Sequence, residues 1–267
     1  MTKRPAEHSH HLIHPDGYHD RMKSDYELIF EQRGREYGEA MQRFPTARRA
    51  EFLRLFDGVD LGAVRTMADI PSGGGYLSAF VPDACDIDYI EPCGEFRPQN
   101  AHQTDVGLEE IVLAEASYDV VVCLAAVHHV KAKTTFLGNL YAALKPGAVL
   151  CLGDVAAGSS ISRFLDDFAG RHNGTGHRGM YLEPDTVADI LRALGAEILC
   201  CESKPCPWRF DTKADLLAFC RLLFGLKNLK DAELMEALEH YVGVTEHDAG
   251  VALNWRLLYV NARKPMP

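Results

Sequence analysis

Met67-Ala-Asp-Ile-Pro-Ser-Gly-Gly-Gly-Tyr-Leu-Ser78 is the stretch on which the fold turns. Val64 to Ile70 reads as a buried parallel strand, an apolar run interrupted by Arg65 and closed by the acid Asp69. Pro71 and three successive glycines, Gly73, Gly74 and Gly75, end the strand and permit a tight turn at φ values that a Cβ would penalise. Tyr76 to Phe80 then reads as the first turn of a helix. Strand, glycine turn and helix start together present free backbone N–H groups at the carboxyl edge of a sheet, where nucleotides and carboxylates bind. A glycine run by itself is a frequent false positive. The next acid changes the reading: after a second apolar strand, Asp86 to Ile90, comes Glu91, 22 positions beyond Asp69. At that distance in a βαβ unit an acid sits at the tip of the second strand and accepts from both hydroxyls of a ribose, so a nucleoside site is favoured.

The chain around this unit has 267 residues, 47% of them hydrophobic, enough for one large α/β domain or a core with a small lid. Its 28 basic and 38 acidic residues give a net charge of −10, which disfavours a nucleic-acid partner. None of the eight cysteines forms a C-x-x-C pair, and several lie inside apolar strand runs, as expected of reduced thiols in the cytoplasm. No stretch has the length of a membrane span, so neither a membrane partner nor an extracytoplasmic location is expected. The sequence does not set an oligomeric state. The first 20 residues carry His8, His10, His11, His14 and His19, but no cysteine or carboxylate falls at zinc-ligand spacing beside them. A polar tail is expected, and no metal site.

From Met22 the chain turns helical, with Tyr26, Ile29, Phe30, Arg33, Tyr37 and Met41 on one face, and Thr46 to Phe56 resumes as a second helix. Together they read as a cover over the sheet edge, which makes Arg33 a candidate partner for a carboxylate. Tyr118 to Leu124 is the clearest strand, apolar almost throughout and hence buried on both faces. It runs into Ala125-Ala-Val-His-His-Val130 at the same edge as the glycine turn. His128 or His129 is a candidate general base, and since adjacent side chains point apart, at most one is expected to face a ligand. Thr134 to Leu144 reads as a helix and Ala148 to Asp154 as the next strand. Phe164 to Phe168 and the glycine- and histidine-rich loop His172 to Tyr181 read as a mobile mouth. Pro184 to Leu194 is a helix, Ala196 to Glu202 a strand, and Asp211 to Phe224 with Leu229 to Tyr241 an inserted helical pair. Val251 to Ala262 reads as one long antiparallel closing strand. Asp105, reached by a short crossover after Glu91, is either a contact to an adenine amino group or a helix N-cap.

These elements imply an α/β fold: a doubly wound, mostly parallel sheet with an antiparallel C-terminal strand, a helical N-terminal cover and a small helical insertion. Residues 1–58 form the tail and cover. Residues 59–267 form the main domain, with loop 155–182 and insertion 208–245 as a substrate lid. In detail the chain resembles the small-molecule branch of the class I (Rossmann-like) S-adenosylmethionine-dependent methyltransferases. Asp69-Ile-Pro-Ser-Gly-Gly-Gly75 is similar to the family's first motif, with Pro71 where the family has its first glycine. Glu91 matches the ribose acid. Asp119-Val-Val-Val, His128-His129 and Leu144-Lys-Pro-Gly147 match the fourth- and fifth-strand segments, and Trp255 to Lys264 is similar to the closing hairpin strand.

The resemblance implies S-adenosyl-L-methionine as cofactor. It places Asp69 on the loop or the methionine amino group, Ser72, Gly73 and Gly75 where the backbone passes the cofactor, Glu91 on the ribose, Asp105 on the adenine and Leu124 beside the cofactor. It also implies methyl transfer to a small-molecule acceptor, with oxygen of a carboxylate or hydroxyl as the candidate nucleophile. His128 or His129 would remove or position its proton, and Arg33, Arg178, Tyr181 and Arg209 would bind the acceptor. Two alternatives share the strand–glycine–acid unit: an NAD(P)-dependent oxidoreductase, and a protein of methyltransferase fold that binds the cofactor without transferring its methyl group.

Overall fold

The structure is a computed structural model that describes residues 23–101 and 106–267; Asp105 and the histidines of the tail lie outside the described residues. The chain runs α1 (Asp25–Arg43), α2 (Arg49–Arg54), β1 (Thr66–Asp69), a 3-10 turn (Tyr76–Phe80), β2 (Asp86–Tyr89), β3 (Tyr118–Leu124), α3 (Lys133–Ala142) and β4 (Leu144–Asp154). It continues through α4 (Ser160–Arg163), a π-helical segment (Phe164–Ala169), α5 (Gly170–His172), α6 (Pro184–Ala193), β5 (Glu197–Pro205) and β6 (Trp208–Phe210). Last come α7 (Lys213–Phe224), α8 (Asp231–Tyr241), β7 (Val244–His247), β8 (Gly250–Leu253) and β9 (Arg256–Arg263).

Six strands make one sheet in the order β2-β1-β3-β4-β9-β5. β1 to β4 are parallel, and β9 runs antiparallel to both β4 and β5. The strand period of two explains why β3 is apolar at nearly every position. Val120 and Val122 pack into one layer with Phe52, Leu55 and Phe164, while Val121 and Cys123 pack into the other with Phe136, Leu137, Leu140 and Leu191. Local signals fix the helices. Ser24 and Glu27 form a capping box at the start of α1, Thr212 caps α7, and Gly225 ends α7 at φ +63°. All eight cysteines are free thiols. Among the described residues no helix is long and apolar enough to cross a membrane.

Three elements differ from the sequence reading. Tyr76–Phe80 does not open an α-helix: it is a 3-10 turn that stops at Val81, whose extended backbone (φ −118°, ψ 141°) is what the following Pro82 imposes. The closing strand is split at Asn254 and Trp255. Its first half, β8, joins β6 and β7 in a separate three-stranded antiparallel sheet, and only β9 reaches the main sheet. Both halves are apolar because each is buried in its own sheet, and between them Trp255 turns inward to stack on Trp208 at 4.2 Å. Phe164 to Phe168, expected in a mobile polar segment, is helical, with Phe164 fully buried against Phe224 and Trp255.

Candidate functional site

The carboxyl ends of β1, β2, β3 and β4 meet at one edge, as their parallel pairing requires. The bend after β1 is tied to its neighbours by the backbone: Ile70 N–H donates to Val122 O (3.0 Å) and Ser72 N–H to Ile90 O (2.9 Å). Gly73 and Gly75 take φ of +51° and +76°, and a Cβ on Gly73 would lie 3.0 Å from the Phe96 ring, so both geometry and space call for glycine at 73. The Ile70–Pro71 peptide is cis.

Both predicted acids are here, close enough to act on each other. Asp69 is buried, and burial, then the charge of Glu91, hold its carboxyl well above the usual range. Glu91 is fully buried and accepts three hydrogen bonds: from Gly73 N–H (2.8 Å), Cys93 N–H (2.8 Å) and the Tyr26 hydroxyl of α1 (2.9 Å). Burial pushes its carboxyl up to about 7, against the pull of those donors. Asp69, Ser72 and Gly73 line the central cavity, but Glu91 lies behind Gly73 and Tyr26 and does not. The Ser72 hydroxyl is buried without a hydrogen-bond partner.

β3 ends in Leu124, which lines the same cavity, and Ala125 at φ +54° turns the chain into a short 3-10 turn, Val127–His129. Asp154, fully buried at the end of β4, organises this turn. It accepts from His128 N–H (3.0 Å) and pairs with His128 Nδ1 (2.6 Å). A carboxylate only accepts, so Nδ1 is the donor of this bond and Nε2 is the ring nitrogen left for other partners. The two side chains do not point apart, as adjacent residues of a strand would: the 3-10 turn brings the rings of His128 and His129 together at 4.1 Å, and both line the cavity. Burial, then the neighbouring imidazoles, keep His129 well below the usual histidine range. His177 enters from the loop and pairs through Nδ1 with Asp166 (2.8 Å). Burial and His128 hold it at about 4, with Asp166 pulling the other way.

The cavity is otherwise apolar and aromatic, walled by Tyr26, Phe30, Phe96, Trp208, Phe224 and Trp255. Besides Asp69, three charged side chains break that lining. Arg48 and Glu51 are paired to each other, as described below. Arg33, 9% exposed, donates from Nη2 to Leu223 O (2.7 Å), while its Nε has no partner. Burial lowers Arg33 to about 10, so it stays charged at neutral pH.

The other expected substrate residues are not in this cavity. Arg209 lies on β6 with its side chain exposed, because the alternation of that short strand turns Trp208 and Phe210 inward. Arg178 is exposed and lines an outer mouth with Asp25, Gly174 and Met180. Tyr181 donates to Asp166 Oδ1 (2.6 Å) and braces His177 rather than the cavity. Sequence reasoning missed Asp154, Tyr26, Phe96 and His177. Asp154 had a readable signal, an acid closing a buried strand beside the histidine turn; for His177, 48 positions beyond His129, the signal was only the histidine-bearing loop that reads as a mouth.

A family profile described as "Methyltransferase domain" matches residues 30–200, well over half of the chain. Comparison with curated proteins returns no match. Among solved structures, an S-adenosylmethionine-dependent methyltransferase from Thermotoga maritima is 15% identical, covering 89% of this chain and 99% of its own, at a TM-score of 0.56. A methyltransferase of the same dependence from Archaeoglobus fulgidus is 16% identical over 85% of this chain and 99% of its own (TM-score 0.51). The 1,6-didemethyltoxoflavin-N1-methyltransferase of Burkholderia thailandensis, solved with its acceptor and S-adenosylhomocysteine, is 13% identical over 98% of both chains (TM-score 0.50). At these identities the likeness is one of fold, and it does not favour the nicotinamide alternative. With the profile match and the strand order of its sheet, the chain belongs to the methyltransferase-domain family, within the class I S-adenosylmethionine-dependent methyltransferases.

Proposed function

We propose that this protein transfers a methyl group from S-adenosylmethionine to an oxygen of a small anionic acceptor held in the central cavity. The observation that carries the acceptor class is Arg33: a buried guanidinium whose Nε lacks a partner, in a cavity that shares its walls with the Asp69–Gly73 bend and with His128 and His129. A buried charged donor left unpaired is costly, and an oxyanion would satisfy it.

The bend fits the cofactor. Ser72 offers a buried hydroxyl with no partner, Gly73 and Gly75 leave the backbone bare, and Asp69 and Glu91 stand at the two strand tips. Bound there, the cofactor supplies a methyl group already activated by its sulfonium, so the chain's task is alignment and exclusion of water. Glu91 would hold the ribose, Asp69 the loop or the amino group, and Leu124 the cofactor's flank. Arg33 would orient the acceptor, and His128, its Nδ1 fixed by Asp154, would take the acceptor's proton at Nε2. Loop 155–182 and the insertion 208–245 would close over the acceptor as a lid.

Since the Tyr26 hydroxyl now sits on Glu91, ribose binding competes with that contact. Tyr26→Phe is therefore expected to raise affinity for S-adenosylhomocysteine several-fold, and Glu91→Gln to lower it, both by calorimetry. Glu91 lies at about 7 when folded against an ordinary value of 4.5, so between these the folded chain holds a proton that the unfolded chain has released. That contribution makes the free protein less stable as pH rises from 4.5 to about 7, whereas cofactor-product affinity is expected to strengthen through the same range as the carboxylate forms. Glu91→Gln should flatten the second dependence. The transfer itself is tested with methyl-labelled cofactor and a panel of small hydroxy and carboxylic acids. Label in an acid of this panel, lost in Arg33→Ala, supports the reading; cofactor binding with label moved to none of them removes it.

A further inference from the structure

Where the central cavity meets the outer mouth, three histidines form the neck: His128, His129 and His177 line both spaces. One nitrogen from each ring lies within 4.8 Å of one from each of the other two, yet no hydrogen bond joins the three rings among the described residues. Two of the rings are backed by carboxylates. Asp154 Oδ1 stands 2.6 Å from His128 Nδ1, and Asp166 Oδ1 stands 2.8 Å from His177 Nδ1. Each carboxylate fixes a proton on Nδ1, leaves Nε2 as the nitrogen a metal can take from the neutral ring, and sets the ring plane. That arrangement behind an imidazole is how metal-ligating histidines are held. Tyr181 donates to the same Asp166 oxygen at 2.6 Å and fixes that acid in turn.

We propose that His128, His129 and His177 bind one divalent transition-metal ion, with Asp154 and Asp166 orienting two of the three ligands. An all-imidazole set suits zinc, cobalt, nickel or copper and disfavours magnesium or calcium, which prefer oxygen. Nitrogens about 2.1 Å from a tetrahedral ion stand about 3.4 Å apart, so the cluster closes by rotation of the rings by about an ångström. The nearby acids Asp154 and Asp166 offset the ion's charge, and the outer mouth, lined by Gly174, Thr175, Gly176 and Arg178, gives it a path from solvent. Three protein ligands leave a fourth position, and the central cavity, with Arg33 in its wall, lies on one side of the neck. With the ion bound, His128 Nε2 is a ligand and no longer the proton acceptor; an acceptor hydroxyl at the fourth position would keep its electron pair on the ion and release its proton to water at the outer mouth. The role of the ion rests on the acceptor reading above; its binding does not.

The test uses the full chain with His8, His10, His11, His14 and His19 changed to alanine, so that the tail cannot compete for metal. Cobalt(II) is titrated into the metal-free protein and ligand-field absorption is recorded, with unfolding temperature and circular dichroism as controls. The expected result is saturation at one equivalent with the strong bands of a four-coordinate ion. Those bands should vanish in His177→Ala, and Asp166→Asn should weaken binding by about 10- to 100-fold. Bands that are absent from the parent, or that survive unchanged in both His177→Ala and His129→Ala, overturn the site. Calorimetry with S-adenosylhomocysteine on the same samples separates the two readings. Loss of cobalt with the nucleoside still bound removes only the metal site, and the converse removes only methyl transfer.

Discussion

Alanine at His128 is expected to lower the methyl-transfer rate by about 10²- to 10⁴-fold, the range over which a positioned proton acceptor contributes, while S-adenosylhomocysteine affinity stays within about twofold. The separation follows from geometry. His128 faces the cavity from the end of β3 and is held through Nδ1 by Asp154, whereas the proposed cofactor groups Ser72, Gly73 and Glu91 belong to the bend after β1 and the tip of β2. Asp154 keeps its backbone donors from residue 128 (3.0 Å) and Val155 (2.6 Å) in that variant, so the turn survives. Asp154→Asn gives the complementary result: the ring remains, but the group that fixes its tautomer changes, and turnover should fall with little change in KM for the acceptor. Single-turnover rates with labelled cofactor check both. A His128→Ala enzyme with full turnover would remove the proton-accepting role.

The largest stability effect is expected at Glu51. Arg48 and Glu51 are 3% and 1% exposed; Arg48 Nε donates to Glu51 Oε2 (2.9 Å), its other nitrogens reach Glu51 Oε1 and the Tyr37 hydroxyl, and Trp208 Nε1 donates to Glu51 Oε2 (2.6 Å). Burial works against the charge on Arg48, and the Glu51 carboxylate, helped by Tyr37, overrides it and raises the guanidinium above its ordinary value. Glu51→Ala leaves that charge and the indole N–H buried without their acceptor, which costs about 3–5 kcal/mol. For a chain of this size the unfolding temperature should drop by roughly 6–20 °C, measured calorimetrically. The pair itself adds little beyond a well-packed apolar replacement. The double variant Arg48→Met/Glu51→Leu is therefore expected to recover most of the loss, and a double variant as unstable as Glu51→Ala would show that the charge is not what matters.

The fold was legible where burial and backbone chemistry coincide. Tyr118 to Leu124 is apolar because both its faces are covered, and Asp69 and Glu91 stand at the tips of the adjacent parallel strands β1 and β2, although the connection between them is a 3-10 turn and not the helix of a βαβ unit. Arg33 was legible from helical spacing alone, and it lies in the cavity. What was not legible depends on pairing between distant segments. An apolar run such as Val251 to Ala262 looks the same whether it serves one sheet or two, and only the contacts of Trp255 with Trp208 and Phe164 divide it. Arg209 and Arg178 were singled out for their charge, but side-chain direction on β6 and in the loop is set by neighbours the sequence does not name. The histidine cluster is the extreme case. His128 and His129 are adjacent, His177 comes from a loop beyond β4, and Asp154 and Asp166 assemble behind them only in three dimensions.

A crystal structure with S-adenosylhomocysteine tests most directly whether the two strand-tip acids receive the cofactor. The expected result places the ribose hydroxyls on Glu91, the Tyr26 hydroxyl displaced from it, and the sulfur facing the cavity beside His128 and His129. A nucleoside bound elsewhere, with the Tyr26–Glu91 contact intact and Ser72 still unpartnered, would contradict it.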